Sequence, residues 1–226
     1  MQPVSPILLS LTVGLTATAI SLPPGILVAW ILERTRWPGR GFLQVAVMLP
    51  LVLPPVVTGY LLLKLFSPRG WLGGALEGVG MPVAFHWLGA VVAAAVVGFP
   101  LLVLSLTLAM KSIEPRMEIV SRSLGRSGWE TFWRVTLPLS WPGLLAGSVL
   151  TFARGLGEFG ATIILAGRIE EETETIPLAV YAAMETPGGE ARVEALVAAS
   201  LLICIAAVVA ARALDAWHRR RMELIR

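Results

Sequence analysis

Long apolar runs separated by short polar stretches dominate the chain: Ile7–Leu32, Phe42–Phe66, Val83–Met110, Leu139–Leu165 and Leu196–Trp217. Each is at or above the roughly 20 residues an α-helix needs to cross hydrocarbon, so the pattern predicts about five membrane-spanning helices. The last run is the cleanest. Pro23 and Pro24 break the first, Pro50, Pro54 and Pro55 fall within the second, and Pro100 follows Gly98 in the third. Proline removes a backbone hydrogen bond and kinks a helix. In hydrocarbon that is tolerated only where protein or a water-lined cavity satisfies the freed groups. The second run therefore turns Pro54, Pro55 and Thr58 inward toward a pathway, or is kinked for packing alone.

The polar connections carry structure of their own. In the 111–137 stretch Ser112 is placed to cap a helix whose first turn holds Glu114 and Pro115. Met117, Val120 and Leu124 share one face of that helix. Gly125 supplies the left-handed stop. Ser127 and Glu130 fit a capping box, starting a second helix with Trp129, Phe132, Trp133 and Thr136 on one side. Leu137 and Pro138 turn the chain into the fourth run. A folded knob of two short amphipathic helices is predicted. It either seats on a partner protein or lies on the lipid surface with its arginines toward anionic headgroups. The 167–191 stretch is acidic, with Glu170, Glu171, Glu172, Glu174, Glu185 and Glu190 against Arg168. Within it Ile176–Met184 is apolar but too short to span, which suits a half-buried outer helix or a re-entrant piece.

Composition agrees with a membrane protein: 56% hydrophobic, 15% charged, mean hydropathy +0.77. One membrane domain over residues 1–226 is expected, with no linker long enough for a second. Arg34, Arg36 and Arg40, then Lys111, Arg116, Arg122, Arg126 and Arg134, then Arg212, Arg219, Arg220, Arg221 and Arg226 fall on alternate connections. Lys64, Arg69, Arg168 and Arg192 fall on the others. The positive-inside rule places the 111–137 loop and the C-terminus in the cytoplasm and a short N-terminus outside. The net charge of +3 reflects this asymmetry, not nucleic-acid binding. The first run is too long for a signal peptide and has no basic region before it. Cys204 is the only cysteine, which excludes an intrachain disulfide. His86 and His218 sit near run ends as interfacial residues.

Arg154 and Glu158 stand four residues apart in the fourth run and share a helical face. Counted from Leu139 on a straight helix, Arg154 lies about 22 Å in, where ionisable groups usually turn inward and pair. The pair admits three roles: contact with cargo, a gate or inter-subunit ion pair, or a structural pair within one helix. A strong cation site in mid-pore would hold an anion too long. Gly155, Gly157 and Gly160 leave one face open to close approach, which favours a gate or dimer contact.

The stretch from Glu118 to Pro138 resembles the loop that ABC importer permeases present to their ATPase. There a Glu-Ala-Ala is followed by Gly, then by an aliphatic residue, any residue and Leu-Pro. Glu118 matches the glutamate, Gly125 the glycine, and Val135, Leu137 and Pro138 the end; Val120 and Ser121 stand where the alanines would be. Residues 49–60 and 152–162 are similar to the second- and fourth-span signatures of oxyanion permeases for molybdate, tungstate and sulfate. Residues 175–181 and 186–190 resemble the molybdate branch.

The resemblance implies an all-α integral membrane protein of the type I ABC importer permease fold. It implies that Glu118, Ser121, Leu124, Gly125, Val135, Leu137 and Pro138 dock an ATPase, and that the chain works as a homodimer enclosing the pathway. Two ATP-binding cassette subunits would carry ATP and magnesium, with no cofactor in this chain. No Gly-x-x-x-x-Gly-Lys-[Ser/Thr] phosphate loop occurs here, so the chain is read as a transport subunit, not an enzyme. A periplasmic or extracellular binding protein would deliver the oxyanion over the acidic outer stretch, whose glutamates would repel free anion. The alternative is an ordinarily solvated loop. Molybdate is the expected cargo, with sulfate or tungstate the alternatives. An ion-driven carrier using Arg154 and Glu158 as a proton relay is the reading from another class.

Overall fold

Helix α1 (Pro6–Arg34) begins at Ser5, whose hydroxyl accepts the Leu8 N–H at 3.3 Å. It runs unbroken through Pro23 and Pro24, so the predicted interruption does not occur. Ala17, Ser21, Gly25 and Ala29 are buried along one stripe, and a Cβ on Gly25 would lie 2.7 Å from Leu102. Packing along that stripe holds the helix where two backbone hydrogen bonds are missing. The computed structural model describes residues 5–223, with side chains through Trp217. The two chain ends whose sides were read from charge, the side chains of His218, Arg219, Arg220 and Arg221, and Arg226 lie outside the described residues.

The second apolar run is not one straight crossing. Helix α2 (Arg40–Val52) and helix α3 (Pro55–Phe66) are bent by 113° at Leu53 and Pro54. Both residues precede a proline and both are extended, with ψ of 142° and 135°. The ring of a following proline disfavours the helical conformation in the residue before it, a preference expressed at Leu53 and Pro54 but overridden at Leu22 and Pro23, where α1 stays helical. A short helix, α4 (Trp71–Glu77), follows and was not predicted.

Helix α5 (Trp87–Ser112) is the centre of the protein. It starts four residues after the predicted Val83, because Phe85 takes a φ of +56° and donates its N–H to the Leu165 carbonyl. The fourth run divides into α9 (Trp141–Leu156) and α10 (Gly160–Leu165), separated by Gly157, Glu158 and Phe159. Helix α11 (Ile176–Met184) is half-buried, as its length requires, with its first N–H held by Ser10 Oγ at 2.7 Å. Helix α12 (Glu190–Glu223) extends the predicted last span at both ends and packs outside the rest, with 6% of its apolar window buried.

Helices α1, α5 and α12 are each long and apolar enough to cross a membrane, and two bent pairs raise the number of crossings to as many as five. α5 lies between α1 and α9. Along α9 the small residues Gly143, Gly147, Thr151 and Gly155 recur every fourth position and face α5. A Cβ on Gly143 would strike Ala109, and one on Gly147 would sit 3.0 Å from Leu102. Thr151 donates to the Gly98 carbonyl at 3.2 Å, and Gly155 faces Ala94. Small residues at this spacing let two helix backbones touch, which is how helices associate where water drives nothing. Gly155 and Gly160 are thus spent inside the chain, the latter against Pro55; neither is left bare for a second copy.

Candidate functional site

The knob folds from α6 (Pro115–Ser123), α7 (Gly128–Thr131), a π turn over Phe132–Thr136, and α8 (Leu137–Leu139). Ser112 does not cap α6; it ends α5, its hydroxyl bonded back to the Ala109 carbonyl at 2.8 Å, and Glu114 takes the cap position before Pro115. Gly125 has a φ of +84°, the left-handed conformation that costs glycine least. Ser127 and Glu130 form both halves of a capping box. The Ser127 backbone N–H, then its hydroxyl, bonds the charged Glu130 carboxylate and lowers its pKa from the ordinary 4.5. In the π turn Leu137 N–H reaches back to the Phe132 carbonyl. The widened turn makes room for the Pro138 ring, which in a regular helix would strike the carbonyl four residues earlier.

The sequence-predicted docking residues separate into inward and outward groups. Leu124 is 75% exposed, and Met117 and Val120 on the same face of α6 are exposed as well. Val135, Leu137 and Pro138 are half-buried where the knob meets the spans. Ser121 faces inward: it is buried, and its hydroxyl lies 3.1 Å from that of Thr131, pinning α6 to α7.

Glu118 also faces inward. Its Oε1 accepts from Arg34 Nε and from Thr136 Oγ1, each at 2.8 Å, while Arg34 Nη2 donates to the Met110 carbonyl at 2.6 Å. One carboxylate oxygen thereby joins the knob to the ends of α1 and α5. Sequence reasoning missed Arg34 and Thr136 as its partners, since Arg34 counted only toward orientation. An arginine at the end of one span and an acid in the next like-sided loop was the available signal.

Trp30 of α1 and Phe132 meet edge to face at 5.9 Å, and Trp129 stacks on Phe132 at 5.8 Å. The aromatic side of the knob is thus turned to α1. The apolar side of α6 is left open.

A second constellation lies at the broken spans. Arg154 Nη1 and Glu158 Oε2 pair at 2.7 Å, as their spacing predicts, with side chains 31% and 1% exposed. The helix stops at Leu156, so Glu158 lies in the break, not on the helix. Its other oxygen accepts the Ala161 N–H at 2.7 Å and ties the start of α10 to Arg154. Gly59 of α3 touches Ala161, and Pro55 touches Gly160. Thr58 is buried and Pro54 exposed, its carbonyl 3.5 Å from the Thr58 hydroxyl. The two signature stretches, 49–60 and 152–162, are packed on each other, break against break.

A family model described as "Binding-protein-dependent transport system inner membrane component" matches residues 22–223. The chain is 45% identical over 216 residues to the "Molybdenum transport system permease protein ModB" of Escherichia coli, covering 95% of this chain and 94% of that one. To the ModB of Haemophilus influenzae it is 43% identical, covering 97% and 95%. The "Sulfate transport system permease protein CysT" of Escherichia coli is 38% identical, covering 79% and 66%. Among solved structures, an inward-facing MetNI methionine ABC transporter matches with a TM-score of 0.67 at 15% identity, covering 95% and 92%. A bacterial ABC transporter involved in alginate import matches at 0.65 and 22%, covering 96% and 80%. The architecture is that of type I ABC importer permeases. The chain belongs to the binding-protein-dependent transport system inner membrane component family.

Proposed function

We propose that this chain is the permease subunit of an ATP-driven importer that carries molybdate across the cytoplasmic membrane. The observation that carries the reading is the knob: a folded helical unit braced to two spans, with the apolar side of α6 open toward solvent. A membrane protein gains nothing from an exposed apolar face unless a partner covers it. Two separate ATPase subunits, which hold ATP and magnesium, seat there; Leu124 enters their surface while Gly125, Val135, Leu137 and Pro138 set the shape of the knob. Two copies of the chain enclose the pathway, and a binding protein outside delivers the oxyanion over the acidic 167–191 stretch. The knob and C-terminus face the cytoplasm and the N-terminus faces outward, in accord with the arginine distribution. Alternating access is a two-state equilibrium, biased by nucleotide on one side and loaded binding protein on the other. No residue of this chain performs covalent chemistry.

Molybdate is preferred over sulfate because identity to the molybdenum permeases is higher and covers more of both chains. The test is uptake of labelled molybdate into proteoliposomes holding this chain, its ATPase and its binding protein. Uptake that needs ATP, resists excess sulfate and is blocked by tungstate is expected. Strong competition by sulfate would move the chain to the sulfate branch, and uptake without ATP would overturn the importer reading.

A further inference from the structure

An apolar cleft of about 280 Å³ lies where the knob meets α1. Leu22, Ile26 and Trp30 form one wall, a single stripe of α1, with Leu27 beside them. Trp129, Phe132 and Trp133 form the other. The aromatic rings brace one another: Phe132 is buried, with Trp30 edge-on at 5.9 Å and Trp133 edge-on at 5.4 Å. The cleft is not closed, since Leu27, Trp129 and Trp133 leave 52%, 61% and 50% of their surfaces free. Its depth limits what can reach it. Arg34 is the polar end of α1, a helix long and apolar enough to cross a membrane. Leu22 lies about 18 Å further in along that helix.

The charge at the knob's end of the cleft is of one sign. Arg122, Arg126 and Arg134 are exposed, and among the described residues none of them forms an ion pair. Arg122 reaches the start of α7, where its Nη2 would lie 3.9 Å from a Cβ on Gly128. Arg126 and Arg134 act on Glu130, whose carboxylate already accepts from the Ser127 N–H at 2.9 Å and its hydroxyl at 3.1 Å. After those bonds, the charges of Arg134 and Arg126 also hold the Glu130 pKa down.

We propose that this cleft seats an acyl chain of an anionic phospholipid from the leaflet on the knob's side, with its phosphate against Arg126 and Arg134. An apolar trough that enters the span below a cluster of arginines receives both halves of such a lipid. Indole rings favour the boundary between hydrocarbon and water, which suits Trp129 and Trp133. An ATPase in the aqueous phase does not extend to the level of Leu22. The knob thereby has two partners on two sides: α6 turns Leu124 to solvent, while α7 and the π turn hold the bilayer. The proposal needs only that α1 crosses a membrane, so it stands apart from the choice of cargo.

The purified full chain in detergent is titrated with phosphatidylglycerol or phosphatidylcholine, and bound lipid is counted by native mass spectrometry. One phosphatidylglycerol per chain should be held in preference to phosphatidylcholine. The double variant Arg126→Gln/Arg134→Gln should bind phosphatidylglycerol about thirty-fold more weakly, at roughly fivefold per arginine, with phosphatidylcholine unchanged. Leu27→Trp fills the cleft and should weaken both lipids. Undiminished phosphatidylglycerol binding in the arginine variant would overturn the headgroup contact, and the same result in Leu27→Trp would overturn the cleft as the seat. Both arginines are exposed, so their variant decides the matter whether or not Leu27→Trp folds. Release of the lipid when the ATPase binds would overturn the proposal in favour of a protein-covered wall. Cys204 is the only cysteine, so Cys204→Ser gives a thiol-free background for Leu27→Cys. Disulfide cross-linking of that variant to a second copy would overturn it in favour of an interface between copies.

Discussion

Glu118→Ala and Glu118→Gln separate two ways in which this glutamate acts. Its Oε1 holds both the Arg34 guanidinium and the Thr136 hydroxyl, with the two charged side chains 13% and 17% exposed. Glutamine keeps an oxygen acceptor there and removes only the charge; alanine removes both. Hydrogen bonds to charged groups contribute about 1.5–3 kcal/mol, and breaking a buried pair costs about 3–5 kcal/mol. Arg34 retains the Met110 carbonyl, and water reaches part of the pair. The alanine variant should therefore lose about 3 kcal/mol and the glutamine variant about 1 kcal/mol. At 1.4 kcal/mol per tenfold, alanine shifts the fraction of braced knobs by about a hundredfold. Thermal unfolding of Glu118→Ala, Arg34→Ala and the double variant should give an interaction energy of about 1–2 kcal/mol. In proteoliposomes ATP hydrolysed per molybdate moved should rise steeply for alanine and little for glutamine, while the ATPase still co-purifies with both. An additive cycle, with loss of the ATPase from Glu118→Gln, would refute the brace and make the carboxylate a partner contact.

Leu124→Asp should weaken ATPase association by at least about tenfold, as for an apolar anchor at an interface, with no change in thermal stability; affinity measured in detergent checks it, and unchanged affinity would exclude the open face of α6 as the seat. Arg154→Ala strands the buried Glu158 carboxylate and should cost about 3 kcal/mol in thermal unfolding without altering preference between molybdate and sulfate; an altered preference would mean that Arg154 touches cargo. The Glu130 carboxylate has a lowered native pKa, so its contribution to the knob is present above the unfolded value and is lost as pH falls through the lower native one. Ser127→Ala should move that loss to higher pH, read as amide exchange of Trp129; an unchanged midpoint would remove the hydroxyl from the explanation.

Hydropathy located the three helices long enough to cross and the bent pair of α2 and α3, because burying a backbone in hydrocarbon demands long apolar runs whatever the tertiary structure. The other bent pair runs from Gly128 to Leu156 and so begins in the knob, not at Leu139. Hydropathy did not say which prolines bend the chain. Pro23 and Pro24 leave α1 unbroken along its buried stripe, whereas Leu53 and Pro54, each before a proline, turn extended and bend the path by 113°. The difference lies in what each segment packs against, which composition does not contain. The knob's caps were legible because Ser127, Glu130 and Gly125 act within a few residues of themselves. The inward aim of Glu118 was not, because its partner Arg34 is 84 positions away. The helical spacing of Arg154 and Glu158 brought them together as expected, yet the helix ends between them at Leu156. Gly157 and the capping of Ala161 by Glu158 are what unwind it, a local feature that the apolar run conceals.

The close seam between α5 and α9 also limits how the protein moves. Helices whose backbones meet at Gly143, Gly147, Thr151 and Gly155 cannot slide without driving side chains into glycine notches. Such a pair travels as one solid beam. The flex that alternating access needs is then confined to the joints at Leu53–Pro54 and Gly157–Phe159, which lie on facing elements. Under the proposed docking of an ATPase at the knob, the stiff lever would deliver motion to the place where two unwound turns bear on each other.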